Sequence, residues 1–112
     1  MDFKEYQDLS KKTSKQYSEG SIFGILISAL GLAGEAGETA DYLKKVYGHG
    51  HKLDIVKLKK EIGDCLWYAA DLCTRHNISL DDVASLNIEK LKERYPLGFS
   101  QEKSVNRAPS DD

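Results

Sequence analysis

Apolar residues recur along the chain at steps of three and four positions, which is the period of an amphipathic α-helix. The pattern predicts four helices, over residues 3–17, 22–47, 55–76 and 80–95. Ser21 and Asp54 are suitable N-caps for the second and third helices, and Gly48 and Pro96 are suitable stops for the second and fourth. No stretch has the strict alternation of a β-strand. We therefore expect an all-α fold, an antiparallel bundle of about four helices.

The two central helices each gather their apolar positions on one face when residues are placed at 100° intervals. We expect the following positions to be buried: Leu32, Ala36, Leu43, Tyr47, Leu58, Ile62, Ala69 and Cys73. The second helix also contains Gly24, Gly31, Gly34 and Gly37. Each costs about 1 kcal/mol relative to alanine. This cost indicates that a neighbouring helix or a ligand approaches the backbone closely.

A short motif occurs twice, once in each central helix. Residues 35–42 read Glu-Ala-Gly-Glu-Thr-Ala-Asp-Tyr, and residues 61–68 read Glu-Ile-Gly-Asp-Cys-Leu-Trp-Tyr. Both copies have the form Glu-x-Gly-acid-x-x-x-Tyr, so two acids and a tyrosine share one stripe beside the apolar face of each helix. If the helices pair antiparallel, a local two-fold axis relates the copies. The four acids Glu35, Glu38, Glu61 and Asp64 then converge on one patch.

Four carboxylates in one half-buried patch repel one another and lose hydration, and a bound cation would compensate for both costs. The acidic stripe has no Lys or Arg at the matching angle, unlike a surface helix with interleaved opposite charges. Hard oxygen ligands without His or Cys are typical of Mg²⁺, with Mn²⁺ as an alternative. The competing interpretation is a solvated acidic face, which is common for a single pair of acids. The duplication favours the metal site.

Composition and charge narrow the functional class. Charged residues make up 30% of the chain and hydrophobic residues 40%, as in a soluble globular protein. The formal net charge of −2 gives no electrostatic reason to expect a nucleic-acid polymer or an anionic membrane as partner. No apolar run is long enough to span a bilayer, and the charged N-terminus lacks a signal-peptide core. We expect a cytoplasmic protein in which Cys65 and Cys73 stay reduced.

The expected domain organisation is one all-α domain over residues 1–100, followed by a polar tail. That tail, residues 101–112, has Val105 and Ala108 as its main apolar residues and is predicted to be flexible or to depend on a partner for its structure.

The doubled motif resembles the signature of the MazG-like all-α NTP pyrophosphohydrolases. Glu35-x-x-Glu38 and Glu61-x-x-Asp64 look like the acids of that family's two motif helices, and residues 87–96 (Asn-Ile-Glu-Lys-Leu-Lys-Glu-Arg-Tyr-Pro) are similar to the closing helix of its smaller members. The similarity covers residues 22–100. Gly34 stands where many members have a further acid, so the number of bound metal ions stays open.

The resemblance implies Mg²⁺-dependent cleavage of a nucleoside triphosphate between the α and β phosphates, which yields the monophosphate and pyrophosphate. It also implies a homodimer or homotetramer. On this reading Glu35, Glu38, Glu61 and Asp64 hold metal. One of them could instead serve as the general base, for which we name Glu38 although the sequence leaves the choice open.

Four further residues are predicted to bind substrate. Lys90 and Arg94 lie four apart on one helical face with Asn87 one turn earlier, so all three can reach one anion. A solvated surface is the competing interpretation for this trio. Tyr68 lies on the acidic stripe and can bond a phosphate or a sugar. Trp67 lies off both faces, and we expect it to pack on a subunit partner or, as a second choice, to stack on a base.

Two alternative functions would require different properties of the chain. A non-catalytic helical protein could use the acidic stripe to bind a basic partner, in a manner that weakens with salt and does not respond to Mg²⁺. A carboxylate-bridged di-iron bundle would need Glu-x-x-His pairs, and the sequence contains none.

Overall fold

The structure, a computed structural model, describes residues 1–107 and is all-α over that range. Its helices are α1 (Phe3–Ser10), α2 (Phe23–His49), α3 (Ile55–Arg75), α4 (Leu80–Arg94) and α5 (Gln101–Val105), and a short 3₁₀ turn, Lys11–Thr13, follows α1. Residues 1–107 contain no β-strand, only an isolated bridge between Pro96 and Gly98. The predicted fold class is confirmed, and the predicted ends of α2, α3 and α4 agree with the structure to within two residues.

Helices α2 and α3 form an antiparallel hairpin. The start of α2 meets the end of α3, where Gly24 lies against Arg75, and a later turn of α2 meets the start of α3, where Tyr42 accepts a hydrogen bond from the backbone of Asp54. Gly50, with a φ of 75°, ends α2 in the left-handed conformation that glycine adopts easily. Asp54 then caps α3 by accepting hydrogen bonds from the backbone of Val56 and Lys57.

The buried face of the hairpin differs from the predicted one. Tyr47 is 77% exposed and Ile62 is 54% exposed, and Ala36 also lies at the surface, whereas Cys73 is buried as expected. On α2 the residues that meet α3 are instead small or polar, namely Gly24, Ser28, Gly31, Thr39 and Tyr42. The acidic stripe of α2 lies on this same side. The apolar periodicity therefore identified the helices correctly but assigned much of the wrong face to the interior.

Helix α1 is shorter than predicted. The expected helix over residues 3–17 ends in the 3₁₀ turn at Thr13, and Ser14 has the extended angles φ −79° and ψ 133°. The backbone leaves the helix here, where the Arg75 side chain donates hydrogen bonds to the Ser14 hydroxyl and to the Lys15 carbonyl. These long-range contacts outweigh a weak local preference for helix.

Contacts divide the chain into two units, Met1–Leu80 and Asp81–Asp112. In the first unit Ala70, Cys73 and Leu80 form a small apolar core, against which Tyr6 and Leu66 pack. In the second, Ser100 caps the short helix α5 within the predicted polar tail. Residues 108–112 of that tail, including Ala108, lie outside the described residues. The single domain over residues 1–100 and the flexible tail stay predictions.

Two smaller expectations concern the cysteines and membranes. Cys65 and Cys73 are both free thiols, as expected. Within residues 1–107, no helix combines the length and apolarity needed to cross a bilayer.

Candidate metal centre

The hairpin brings three of the four predicted acids together. Glu35 and Glu38 lie one turn apart on α2, and Glu61 faces them from α3. Each offers one carboxylate oxygen, and these three oxygens all lie within 4.8 Å of one another. The antiparallel pairing predicted from the repeated motif is the reason that side chains so distant in sequence converge.

The carboxyl group of Glu35 has an unfavourable environment for a negative charge. Burial raises its pKa, and the negative charges of Glu38, Asp64 and Glu61 raise it further. Glu35 and Glu61 are partly buried, whereas Glu38 is exposed to water. The centre is therefore open on the Glu38 side.

Two oxygens of the cluster are candidates for metal ligands. The Oε2 atoms of Glu35 and Glu61 are buried, and neither accepts a hydrogen bond from any residue in the described part of the chain. A buried carboxylate oxygen without a donor is costly unless a cation satisfies it. Three acidic oxygens at this separation, with no nitrogen or sulfur among them, match the ligands that a hard divalent cation prefers. The residues present therefore fit a divalent metal.

Asp64 is the fourth predicted acid, and it lies outside this group of three oxygens. Its charge still raises the pKa of Glu35. It also acts on Tyr6 of α1, whose pKa is raised first by burial and then by Asp64. This proximity of α1 to Asp64 could not be predicted, because the repeated motif lies entirely within the two central helices. The role of Asp64 as a ligand stays a prediction.

Tyr68 packs across α2 in the first unit. A Cβ at Gly31 would clash with the Tyr68 ring, so glycine leaves the space that this ring fills.

The neighbouring Trp67 packs edge-on against Tyr68, with 5.0 Å between the ring centroids. The indole nitrogen of Trp67 donates a hydrogen bond of 2.8 Å to the Thr13 hydroxyl. Trp67 thus contacts its own chain, where the sequence suggested a subunit partner. Tyr68 lies one turn beyond Asp64, and its contact with substrate stays a prediction.

The other three predicted substrate residues lie on α4, in the second unit. Asn87 is exposed, and Lys90 and Arg94 are partly buried. Arg94 also borders a pocket inside this unit, together with Lys103 and Arg107. The spacing of Asn87, Lys90 and Arg94 places them along one side of α4, as predicted, and their role in binding stays a prediction.

A network of hydrogen bonds, which was not predicted from the sequence, connects Ser14, in the segment after α1, to both helices of the hairpin. Asp71 is only 3% exposed, and it accepts hydrogen bonds from Ser14 at 2.6 Å, from Arg75 at 2.8 Å and from Ser28. Burial alone would raise the pKa of Asp71, but these hydrogen bonds and the charge of Arg75 outweigh it and lower that pKa. The Asp71–Arg75 spacing of four was a usable signal for the ion pair. Nothing in the sequence pointed to Ser14 or Ser28.

Comparison with known proteins agrees with the geometry of this centre. Residues 25–99 match the family model described as the MazG nucleotide pyrophosphohydrolase domain. The chain is also 35% identical, over 91 residues, to the Gene 37 protein of Mycobacterium phage L5, an alignment that covers 78% of this chain and 80% of the phage protein. No solved structure matches the chain at a significant level. From the matched residues, which include both acidic motifs, we conclude that the chain belongs to the MazG nucleotide pyrophosphohydrolase domain family.

Proposed function

We propose that the protein is a Mg²⁺-dependent nucleoside triphosphate pyrophosphohydrolase. It would cleave an NTP or dNTP between the α and β phosphates and release the monophosphate and pyrophosphate. The observation that carries the proposal is the pair of buried, unsatisfied oxygens on Glu35 and Glu61, which lie beside the exposed carboxylate of Glu38. Membership of a nucleotide pyrophosphohydrolase family supports the same reaction.

Glu35, Glu38 and Glu61 would hold the metal, with Asp64 as a further ligand. A bound Mg²⁺, or Mn²⁺ in its place, would neutralise phosphate charge and make a water molecule more acidic. The acids supply a fixed negative site that attracts the cation before the substrate arrives. Since burial and like charges already disfavour the ionised form of Glu35, a divalent cation gains affinity by relieving that repulsion.

Glu38 is also our candidate for the general base. Its exposure gives it access to the attacking water, which the more buried Glu35 lacks. In the proposed step the oxygen of that water forms a bond to the α phosphorus, and the bond between the α phosphorus and the oxygen that bridges it to the β phosphate breaks. The water proton passes to the Glu38 carboxylate. Pyrophosphate leaves with the bridging oxygen.

Four further residues would contact the substrate. On α4, Lys90 and Arg94 would pair with phosphate oxygens and Asn87 would donate a hydrogen bond. Tyr68 would form a hydrogen bond to a phosphate or to the sugar through its hydroxyl.

We also propose that the enzyme acts in the cytoplasm as a homodimer or homotetramer. The small buried core supports the assembly, because few large apolar side chains are covered within one chain.

The decisive experiment incubates the purified protein with Mg²⁺ and a panel of NTPs and dNTPs. We expect release of pyrophosphate, and we expect Glu38→Gln to lower kcat by at least about 100-fold, the usual effect of losing a general base. Asp41→Asn is the matched control, because Asp41 lies on the same helix one turn later but pairs with Lys44 and Lys45.

Three results would contradict the proposal: release of orthophosphate alone, activity that survives Glu38→Gln, or equal loss in the Asp41→Asn control. An acidic surface that binds a basic partner would instead give no response to Mg²⁺ and salt-sensitive binding.

A further inference from the structure

A small cavity lies where the segment after α1 meets the start of α2 and the end of α3. Its volume is about 250 Å³, and all its lining residues belong to the unit Met1–Leu80. Two cations and four aliphatic hydroxyl groups line it, together with uncharged residues. The cations are Lys11 and Arg75, and the hydroxyl groups are those of Ser14, Ser18, Ser21 and Thr74. None of the described residues that line this space is acidic, and we call it the basic cavity.

The surroundings of the basic cavity carry positive charge, although the formal net charge of the chain is −2. The segment after α1, residues 11–21, contains three lysines and one acid. Acids pair with both lining cations, but neither acid lines the cavity: Asp8 lies 3.4 Å from Lys11, and Asp71 lies 2.8 Å from Arg75. The pair of Asp8 and Lys11 is exposed and therefore contributes little to stability. Lys11 can therefore turn to another anion at small cost.

Several hydrogen-bond donors of the basic cavity are not used within the described part of the chain. The hydroxyl groups of Ser21 and Thr74 each accept one hydrogen bond and donate none to residues 1–107. The Ser18 hydroxyl forms no hydrogen bond within that range. Arg75 donates through Nε and Nη2 to described residues, but not through Nη1. Guanidinium, ammonium and hydroxyl donors around one space suit the oxygens of a phosphate group, which accept hydrogen bonds and carry negative charge.

The volume of the basic cavity limits the size of its ligand. Sites for drug-sized molecules and cofactors have volumes of about 300–1,000 Å³ and are mostly apolar. This cavity is smaller, at about 250 Å³, and its lining is rich in polar groups. A small inorganic anion therefore fits its volume and chemistry better than a whole nucleotide, whose base would find little apolar surface there.

We propose that the basic cavity binds a small phosphate anion, either inorganic phosphate or pyrophosphate, through Lys11, Arg75 and the unused hydroxyl groups. The bound anion would join residues 11–21 to the last turn of α3 and so hold this segment against the hairpin. The cavity shares no residue with the acidic centre or with the residues assigned to substrate. The inference therefore goes beyond the proposed function and does not rest on it.

The test is isothermal titration calorimetry of the full chain with inorganic phosphate and, separately, with pyrophosphate. A chelator is present throughout, so that no divalent cation can carry the anion to the acidic centre. We expect saturable binding of at least one of the two anions, and we expect Lys11→Gln to raise its Kd by about tenfold, the usual effect of losing a hydrogen bond between charged groups. Lys12→Gln is the matched control, because it removes the same charge from the next residue, which does not line the cavity. Both lysines are exposed, so both variants should fold.

A second measurement locates the anion on the wild-type chain. Titration with the same anions should shift the backbone amide NMR signals of Ser18, Ser21 and Arg75, whereas sodium chloride at equal ionic strength should not.

Four results would overturn the inference: no saturable binding of either anion, equal loss of affinity in Lys11→Gln and Lys12→Gln, shifts confined to α4, or the same shifts with chloride. Neither measurement involves a metal or hydrolysis. Failure here would therefore leave the proposed hydrolase intact, and an inactive protein could still bind the anion.

Discussion

The carboxyl group of Glu35 has Glu38 one turn away on its own helix and Glu61 and Asp64 on the facing helix. Burial and these charges raise its pKa above the ordinary value of 4.5. A raised pKa means that the folded state binds the proton more tightly than the unfolded state does. Stability therefore falls as pH rises from the unfolded value through the raised folded value. At neutral pH without metal, the surroundings of the Glu35 carboxyl group therefore oppose folding.

This balance predicts the behaviour of Glu35→Gln. The variant should melt at a higher temperature than wild type near neutral pH in the presence of a chelator, because the buried like charge is gone. The gain should vanish below the ordinary pKa of the carboxyl group, where Glu35 is protonated in both states. Added Mg²⁺ should stabilise wild type, since the ligand binds only the folded form, and should stabilise the variant less. Differential scanning calorimetry across pH, with and without Mg²⁺, measures all three effects.

An unchanged response to Mg²⁺ in Glu35→Gln would remove Glu35 from the metal site. A lower melting temperature without metal would show that its carboxylate has a stabilising partner. In either case the metal ligands would have to be sought among the remaining acids, Glu38, Glu61 and Asp64.

At the scale of helices, a single ion pair links the segment after α1 to both helices of the hairpin. Asp71 and Arg75 of α3 bond each other, and together they bond Ser28 of α2 and Ser14 of the segment. Arg75 also lies over the Tyr17 ring, 5.3 Å from its centroid. The depressed pKa of Asp71 gives stability that is complete above its ordinary value of 3.8 and is lost as pH falls through the folded value.

We expect Asp71→Ala to lower the free energy of unfolding by about 3 kcal/mol, because it leaves the mostly buried Arg75 without its carboxylate. Asp41→Ala is the control: it removes an acid from a pair at the same spacing, but at the surface, where water screens the charges. Urea unfolding should show a clear loss of stability for the first variant and almost none for the second. Equal losses would mean that burial of the Asp71 network adds nothing.

For the molecule as a whole, the candidate functional groups are divided between two units. The acids belong to the unit Met1–Leu80, whereas Asn87, Lys90 and Arg94 belong to the unit Asp81–Asp112. The family match over residues 25–99 includes residues of both units. This division separates two properties that an experiment can measure independently, namely metal binding and substrate binding.

We expect Lys90→Ala and Arg94→Ala to lower kcat/KM by about 10- to 100-fold, the usual effect of losing a hydrogen bond between charged groups. Both variants should keep the full thermal stabilisation by Mg²⁺, since the acids are untouched. Lys92→Ala is the matched control, because Lys92 lies on the opposite side of α4 and should leave kcat/KM unchanged. If all three variants behave alike, this side of α4 has no specific role in binding substrate.

The sequence alone determined the helices, their order, the family and the acids that form the centre. Helical periodicity and a repeated motif are local properties, and both are found in the structure: antiparallel pairing of the two motif helices brings Glu35, Glu38 and Glu61 together, although Asp64, the equivalent of Glu38, lies outside the group. Tertiary structure alone decided which face of α2 is buried, where α1 ends, and that Asp71 and Arg75 join Ser14 and Ser28. These depend on contacts between residues far apart in the chain. Periodicity shows that a helix has an apolar face, but only packing decides which side of the helix its neighbour covers.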